Sequence, residues 1–158
     1  MNNSELNIEF IKSMRGITSS VYVISSQELG IKYAMTASSV TSLSLDPASM
    51  LICVNKNASI HGLLGKGKNF CINVLSPHQT ELANLCSSSK DGDERFSSEH
   101  WSQDKEIPFN KESTSNIFCT CFDLFEHSSH TVFFGKVTKV INNNSHGSLM
   151  YGDGSYKS

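Results

Sequence analysis

For most of its length the chain alternates apolar and polar residues in short runs rich in β-branched and aromatic side chains, with polar turns between them. A period of two is the mark of half-buried strands. "GITSSVYVISS" and "LGIKYAMTASSV" read this way as an antiparallel pair, with "SSQELG" between them. "SMLICVN" and "FCINVLS" predict buried strands, "SNIFCTCFDLFEH" and "HTVFFGKVTKVI" two long ones, and "SLMYGDGSY" a last return to the sheet. Asp46-Pro47 predicts a turn, because proline fixes φ and pushes its predecessor out of helix. A helical period shows in fewer places. "NSELNIEFIKSM" spaces Leu6, Phe10 and Met14 by four, which predicts a short amphipathic helix. "ASIHGLLGKGKN" predicts a short helix closed by glycines. In "SPHQTELANLCSS" Ser76 can cap, Pro77 suits the first helical position and Gln79 completes a capping box. "SKDGDERFSSEHW" is polar and predicts a loop.

Strands outnumber helices, and most connections are too short for helical crossovers between parallel strands. The expectation is a mainly β chain with a few helices outside an antiparallel sheet, most economically closed into a barrel.

Composition narrows the function classes. A chain of 158 residues suits one domain spanning 1–158, and an 18% charged, 38% hydrophobic profile is that of a globular protein. A net charge of −2, with Lys66 and Lys68 the one basic cluster, leaves no electrostatic footprint for nucleic acid. "MLICV" is far short of a membrane span, and the polar, acidic N-terminus does not read as a leader, so the expectation is a cytoplasmic protein. The five cysteines are odd in number, scattered and set in apolar runs, which suits reduced, buried thiols.

Candidate chemistry is sparse. Cys119, Cys121, His127 and His130 make a C-x-C…H-x-x-H pattern that resembles a zinc set, but the cysteines lie in a half-buried strand and read first as core. No nucleophile elbow, P-loop or dinucleotide fingerprint is present. "GLLGKGKN" has the wrong spacing for phosphate and reads as a helix end with solvated lysines. The stretch "YAMTASSVTSLSLDP" is left, dense in hydroxyls and without charge before Asp46. It is either an exposed strand face or an anion-recognising segment, in which Ala34, Ala37 and Ser38 would let a flat ring approach the backbone.

Taken in order, "YAMTASSVTSLSLDPASMLICVNKNASIHGLL", "GKNFCINVLSPHQTELANLCS", "RF", "HTVFFGKV" and "LMYGDGSY" resemble the short-chain flavin reductase family from about Gly16 to the C-terminus. The resemblance implies an antiparallel split β-barrel of the flavin-reductase-like FMN-binding fold. It implies hydride transfer from NADH or NADPH to FMN or FAD, often to supply reduced flavin to a partner monooxygenase, and a homodimer with flavin near the subunit interface. By position it implies that Met35, Thr36, Ala37 and Ser38 offer backbone groups to the isoalloxazine, and that Ser42 and Ser44 lie near the ribityl chain or phosphate. Cys53, Val54, Asn55, Lys56 and Ser59 would add phosphate and ribityl contacts, with Arg95 serving the same phosphate or an adenylate extension. His130 would lie by the nicotinamide, with Tyr156 near the same face. The Gly-Asp that commonly precedes this histidine is replaced by Ser128-Ser129. No acid, base or nucleophile is implied, because hydride transfer resides in the two cofactors. A flavin-binding electron carrier without nicotinamide oxidation, and a non-enzymatic β-barrel binding protein, are the alternatives.

Overall fold

In a computed structural model the described residues are 2–88, 92, 94–143 and 147–157. The strand-period runs become strands, joined by a hairpin that the sequence reading did not include and whose Trp101 fell in a predicted loop: β1 (Ser19–Ser20), β2 (Tyr22–Glu28), β3 (Ile31–Ala37), β4 (Val40–Leu45), β5 (Ala48–Asn55), β6 (Asn69–Val74), β7 (Trp101–Asp104), β8 (Ile107–Asn110), β9 (Ser115–His127), β10 (His130–Asn142), β11 (Met150–Gly152) and β12 (Ser155–Lys157). The added hairpin is β7–β8. Among the described residues two α-helices accompany them, α1 (Asn3–Arg15) and α2 (Thr80–Ser87). Every strand pairing is antiparallel.

Seven strands form one sheet in the order β3-β2-β6-β9-β10-β5-β4. Ile24 of β2, Val54 of β5, Phe70 of β6, Cys121 of β9 and Phe133 of β10 meet in a single core, with Met35 of β3 and Val40 of β4 packed against it. Residues from all seven strands cannot share one core on a flat sheet, so the sheet is rolled around it. The roll is not closed by a ladder. Its edges, β3 and β4, are consecutive in the chain, and Ser38–Ser39 joins them across the gap, where the Cys53 amide donates to the Ser39 carbonyl at 2.9 Å. That gap is the split in the barrel.

Close packing appears where β9 bulges at Phe122, opposite the Phe134–Gly135 step of β10. A Cβ on Gly135 would lie 2.8 Å from the Phe70 ring and 2.9 Å from the Cys119 Cβ. Behind β2 and β3 a second apolar cluster, including Val23, Ala34, Leu75, Ala83 and Cys86, seats α2. Beside it Asn73 is fully buried and saturated: its Nδ2 donates to the Val23 carbonyl and Ser25 Oγ, and its Oδ1 accepts from the Asn110 amide and Asn116 Nδ2. This network ties β8 to the barrel.

Several boundaries differ from the expectation. The β2–β3 turn is only Leu29-Gly30, with φ of 51° and 80°, the pair of left-handed residues a two-residue hairpin needs, so Ser25, Ser26 and Gln27 belong to the strand. The predicted helix in "ASIHGLLGKGKN" shrinks to a 3₁₀ turn at His61–Leu63. Ser76 does not cap α2; the Gln79 side chain accepts from the Ser76 amide at 2.9 Å, and the helix begins only at Thr80. The C-terminal run does not rejoin the large sheet, because β11 and β12 form a separate one with β1. The predicted loop after α2 contains a 3₁₀ turn at Glu94–Phe96, and its residues 89–91 and 93 lie outside the described residues. No described helix is long and apolar enough to cross a membrane.

Candidate functional site

The hydroxyl-rich stretch occupies both edges of the split. Along β3 the side chains alternate: Met35 and Ala37 turn to the barrel core, while Ala34 and Thr36 turn to α2. Thr36 Oγ1 donates to the Ala83 carbonyl at 2.6 Å, so this hydroxyl is committed to α2. The backbone alternates too. Met35 and Ala37 pair with Ile24 and Tyr22 of β2, which directs the amides and carbonyls of Ala34 and Thr36 off the sheet edge. The Ala34 carbonyl is taken there by Arg95 Nη1 at 2.8 Å.

Arg95 is therefore misplaced by the sequence reading. It is only 6% exposed, and its guanidinium spans the Ala34 and Ser88 carbonyls. It supports β3 from behind, itself fixed by Trp101 Nε1 donating to its carbonyl at 2.7 Å.

Where β3 passes into β4 the surface opens. A cleft of about 560 Å³ runs between Ser38–Ser39, the last turns of α1 and the β11–β12 hairpin. Adjoining it, a smaller cavity of about 170 Å³ is lined by Thr36, Ala37, Ser38, Tyr151 and Tyr156. Ser38 and Tyr151 border both, so the two spaces are continuous. The Tyr151 and Tyr156 rings meet edge to face at 5.1 Å, and burial together with Tyr151 raises the Tyr156 phenol above its ordinary value. Small side chains, an edge strand with outward backbone groups and two aromatic rings suit a flat, hydrogen-bonding ring system such as a flavin.

On the other edge Ser42 is exposed, but Ser44 is not available in the same way. Its Oγ lies 3.2 Å from both the amide and the carbonyl of Asp46, across the turn that ends β4. Further on, Val54 is fully buried in the core, which leaves only its backbone to any ligand. Cys53 and Asn55 lie on the opposite face of β5, alongside Val132 and His130 of β10. Asn55 Oδ1 accepts from the Asn57 amide at 2.9 Å, Ser59 is exposed, and Ser129 Oγ lies 2.9 Å from His130 Nδ1. Ser129 thus orients the histidine ring that a Gly-Asp precedes elsewhere in the resemblance.

Lys56 points the other way. Its ammonium lies 2.9 Å from Glu126, whose strand neighbour Thr131 is buried and bonded to His61 Nε2 at 2.8 Å. The Lys56 hydrogen bond and charge, aided by His61, hold the Glu126 carboxyl below its ordinary value. The structure therefore divides the expected phosphate set between two faces. It gathers Thr36, Ala37 and Ser38 with Tyr156 at the split, leaves Met35 against the core, and places His130 opposite Asn55, two residues past the Cys53–Ser39 contact.

Cys119 and Cys121 line the barrel core, and no cluster of three potential metal ligands occurs among the described residues. Burial pushes the Cys86 and Cys119 thiols up to about 12, and Cys71 well above its usual value. The sequence reading missed Arg15, Ser39 and Tyr151 around the cleft and Glu126 against Lys56. An arginine in the last turn of an amphipathic helix was the one visible signal for Arg15.

Comparison with known proteins bears on this geometry. The flavin reductase like domain model matches residues 14–158. The chain is 29% identical over 150 residues to the reductase component of an FADH(2)-dependent resorcinol hydroxylase from Rhizobium sp. (strain MTP-10005), covering 93% of this chain and 84% of that protein. It is 26% identical over 148 residues to the FMN reductase (NADH) RutF of Acinetobacter baylyi, covering 93% and 79%. In structure it resembles the NADH:FAD oxidoreductase SgcE6 of Streptomyces globisporus, solved with NAD and FAD fragments, at a TM-score of 0.89 and 22% identity over 100% of this chain and 95% of that one.

Proposed function

The chain belongs to the flavin reductase like domain family, and from that membership we propose that it is an NAD(P)H:flavin oxidoreductase. It passes hydride from NADH or NADPH to FMN or FAD and supplies the reduced flavin to a partner monooxygenase, a reading supported by its similarity to the reductase component of an FADH(2)-dependent hydroxylase and to an NADH-dependent FMN reductase. The observation that carries this reading is the outward edge of β3, whose backbone groups and small residues border the cleft at Ser38 and Tyr151.

When bound, flavin supplies the hydride-accepting chemistry. The chain's part is to bind, align and shield. The outward backbone of Thr36, with the small residues Ala37 and Ser38, would hold the ring edge, with Tyr156 closing one side. Ser42, Asn55 and Ser59 donate to the ribityl chain. Lys56 is paired with Glu126 on the other face and stands outside this set. His130, held by Ser129, contacts the nicotinamide. Ser44, Val54 and Arg95 act on the scaffold instead, through the β4 turn, the core and the back of β3.

A second copy of the chain completes the site. Support comes from α1, a 13-residue helix with no buried residue, whose Leu6, Phe10 and Met14 stripe is 47–61% exposed beside the cleft. A helix of this length has little stability without packing, so its apolar stripe needs a cover.

The test is a visible spectrum of the purified protein followed by NADH and NADPH oxidation with FMN, FAD and riboflavin. Flavin-dependent oxidation of a reduced nicotinamide is the expected result; a colourless protein that takes up none of the flavins overturns the proposal. The replacement of Gly-Asp by Ser128-Ser129 favours one second reading, a flavin-binding electron carrier. Stopped-flow mixing separates the two, since a carrier would not bleach near ~450 nm on mixing with NADH.

A further inference from the structure

We propose that Arg15 is the cationic residue that binds a phosphate group of a ligand in the cleft, a task the sequence pattern assigns to Lys56. The inference rests on the flavin reductase reading. Several other basic residues are already engaged. Lys56 pairs with Glu126 at 2.9 Å, Lys66 with Asp123 at 2.7 Å and Lys68 with Glu28 at 2.8 Å. Arg95 is spent on carbonyls. Lys56 also faces the Thr131 side of the barrel, away from Asn55 and His130.

Arg15 differs in two respects. Its guanidinium has no hydrogen-bond or ion-pair partner among the described residues, and it lines the cleft that Ser38, Ser39 and Tyr151 also line. It is nonetheless positioned. The Asp153 amide donates to the Arg15 carbonyl at 2.8 Å, pinning the end of α1 to the β11–β12 turn. Its Nη2 lies 3.2 Å from where a Cβ on Gly154 would stand, so the guanidinium rests against that turn because residue 154 is glycine, at a φ of 77°. Asp153, on the same lining, forms no ion pair with it. A planar fork of donors, beside the Ser19, Ser38 and Ser39 hydroxyls and an apolar wall from Phe10, Met14 and Ile17, suits a phosphate ester carrying a flat ring. The ester belongs either to the flavin or to the nicotinamide dinucleotide.

Binding measurements on the full chain separate the two. Flavin fluorescence titration of wild type, Arg15→Gln and Arg15→Lys with FMN and riboflavin, which differ only by the phosphate, tests the first source. Steady-state kinetics varying NADH tests the second. Lys111→Gln, which removes the same charge away from the cleft, serves as the control for net charge. A loss of FMN affinity of about fivefold or more in Arg15→Gln, with riboflavin unchanged and partial recovery in Arg15→Lys, assigns the flavin phosphate. Unchanged flavin binding with a comparable rise in the NADH KM at constant kcat assigns the dinucleotide. If Arg15→Gln leaves FMN, riboflavin and NADH parameters at wild-type values, or moves FMN and riboflavin equally with NADH unaffected, Arg15 binds no phosphate. A wild-type protein that binds no flavin and oxidises no NADH would instead defeat the underlying reading.

Discussion

α2 packs behind β3 and α1 borders the cleft at Ser38–Ser39, and the two helices are built in opposite ways. α1 is stabilised locally: Asn2 and Glu5 form a full capping box, with Lys12 and Arg15 in the last turn, yet none of its residues is buried. α2 has no side-chain cap and only eight residues, but Ala83 and Cys86 are buried against the back of β3. A helix with weak ends and a buried face is held by packing, and a helix with strong ends and an exposed stripe holds its shape in advance of a partner. The back of the candidate site is thus packed within one chain, while the apolar stripe of α1 at its front is exposed.

The largest expected effect is at the front. Phe10→Glu with Met14→Glu places charge in the α1 stripe, and should reduce the species to a single copy with a loss of flavin affinity of about tenfold, ~1.4 kcal/mol, or more. Sedimentation and flavin titration check this; an unchanged mass and affinity would mean that α1 stands alone and that the contrast fails. At the back, Ala83→Leu overpacks the seat under β3 and should lower stability by roughly 1–3 kcal/mol in denaturant unfolding, leaving the oligomeric mass unaltered.

Alkaline pH probes the buried side in another way. The folded Cys86 and Cys119 thiols titrate at about 12 against an ordinary 9.0. Their protons are held more tightly in the folded chain, so their contribution is fully present below pH ~9 and is lost as pH rises towards ~12. Thermal melts should show a steady fall across that window, and Cys86→Ala should flatten it in part. A melting curve indifferent to alkali would contradict the burial of these thiols. The smallest effect is Thr36→Val, which removes the hydroxyl donated to Ala83 and should cost about 1 kcal/mol while sparing the mass.

The strands were legible because a period of two survives in runs such as "FCINVLS" and "HTVFFGKVTKVI". Their partners were not. Nothing in the sequence places Phe70 of β6 opposite Cys119 of β9, since pairing is decided by which faces can share one core. Helix ends moved where side chains found tertiary partners: Gln79 is drawn to Asn110, and α2 starts beyond it. In the candidate site, the segment Met35–Ser38 and its small residues could be read from the sequence. The direction of each side chain could not. Thr36 turns to α2, Arg95 turns inward and Lys56 turns to Glu126, and each outcome depends on a contact 47 or more positions away.

The hydrogen bond from Arg95 to the Ala34 carbonyl has a consequence beyond support. β3 is an edge, and an edge with outward amides and carbonyls is a template for a strand from any other chain. A closed barrel would have no such exposure, but it would also have no backbone to offer a ligand. By blocking one carbonyl of the row with a bulky buried guanidinium, the chain leaves Thr36 accessible to a small molecule while denying a foreign strand the continuous ladder it needs to polymerise.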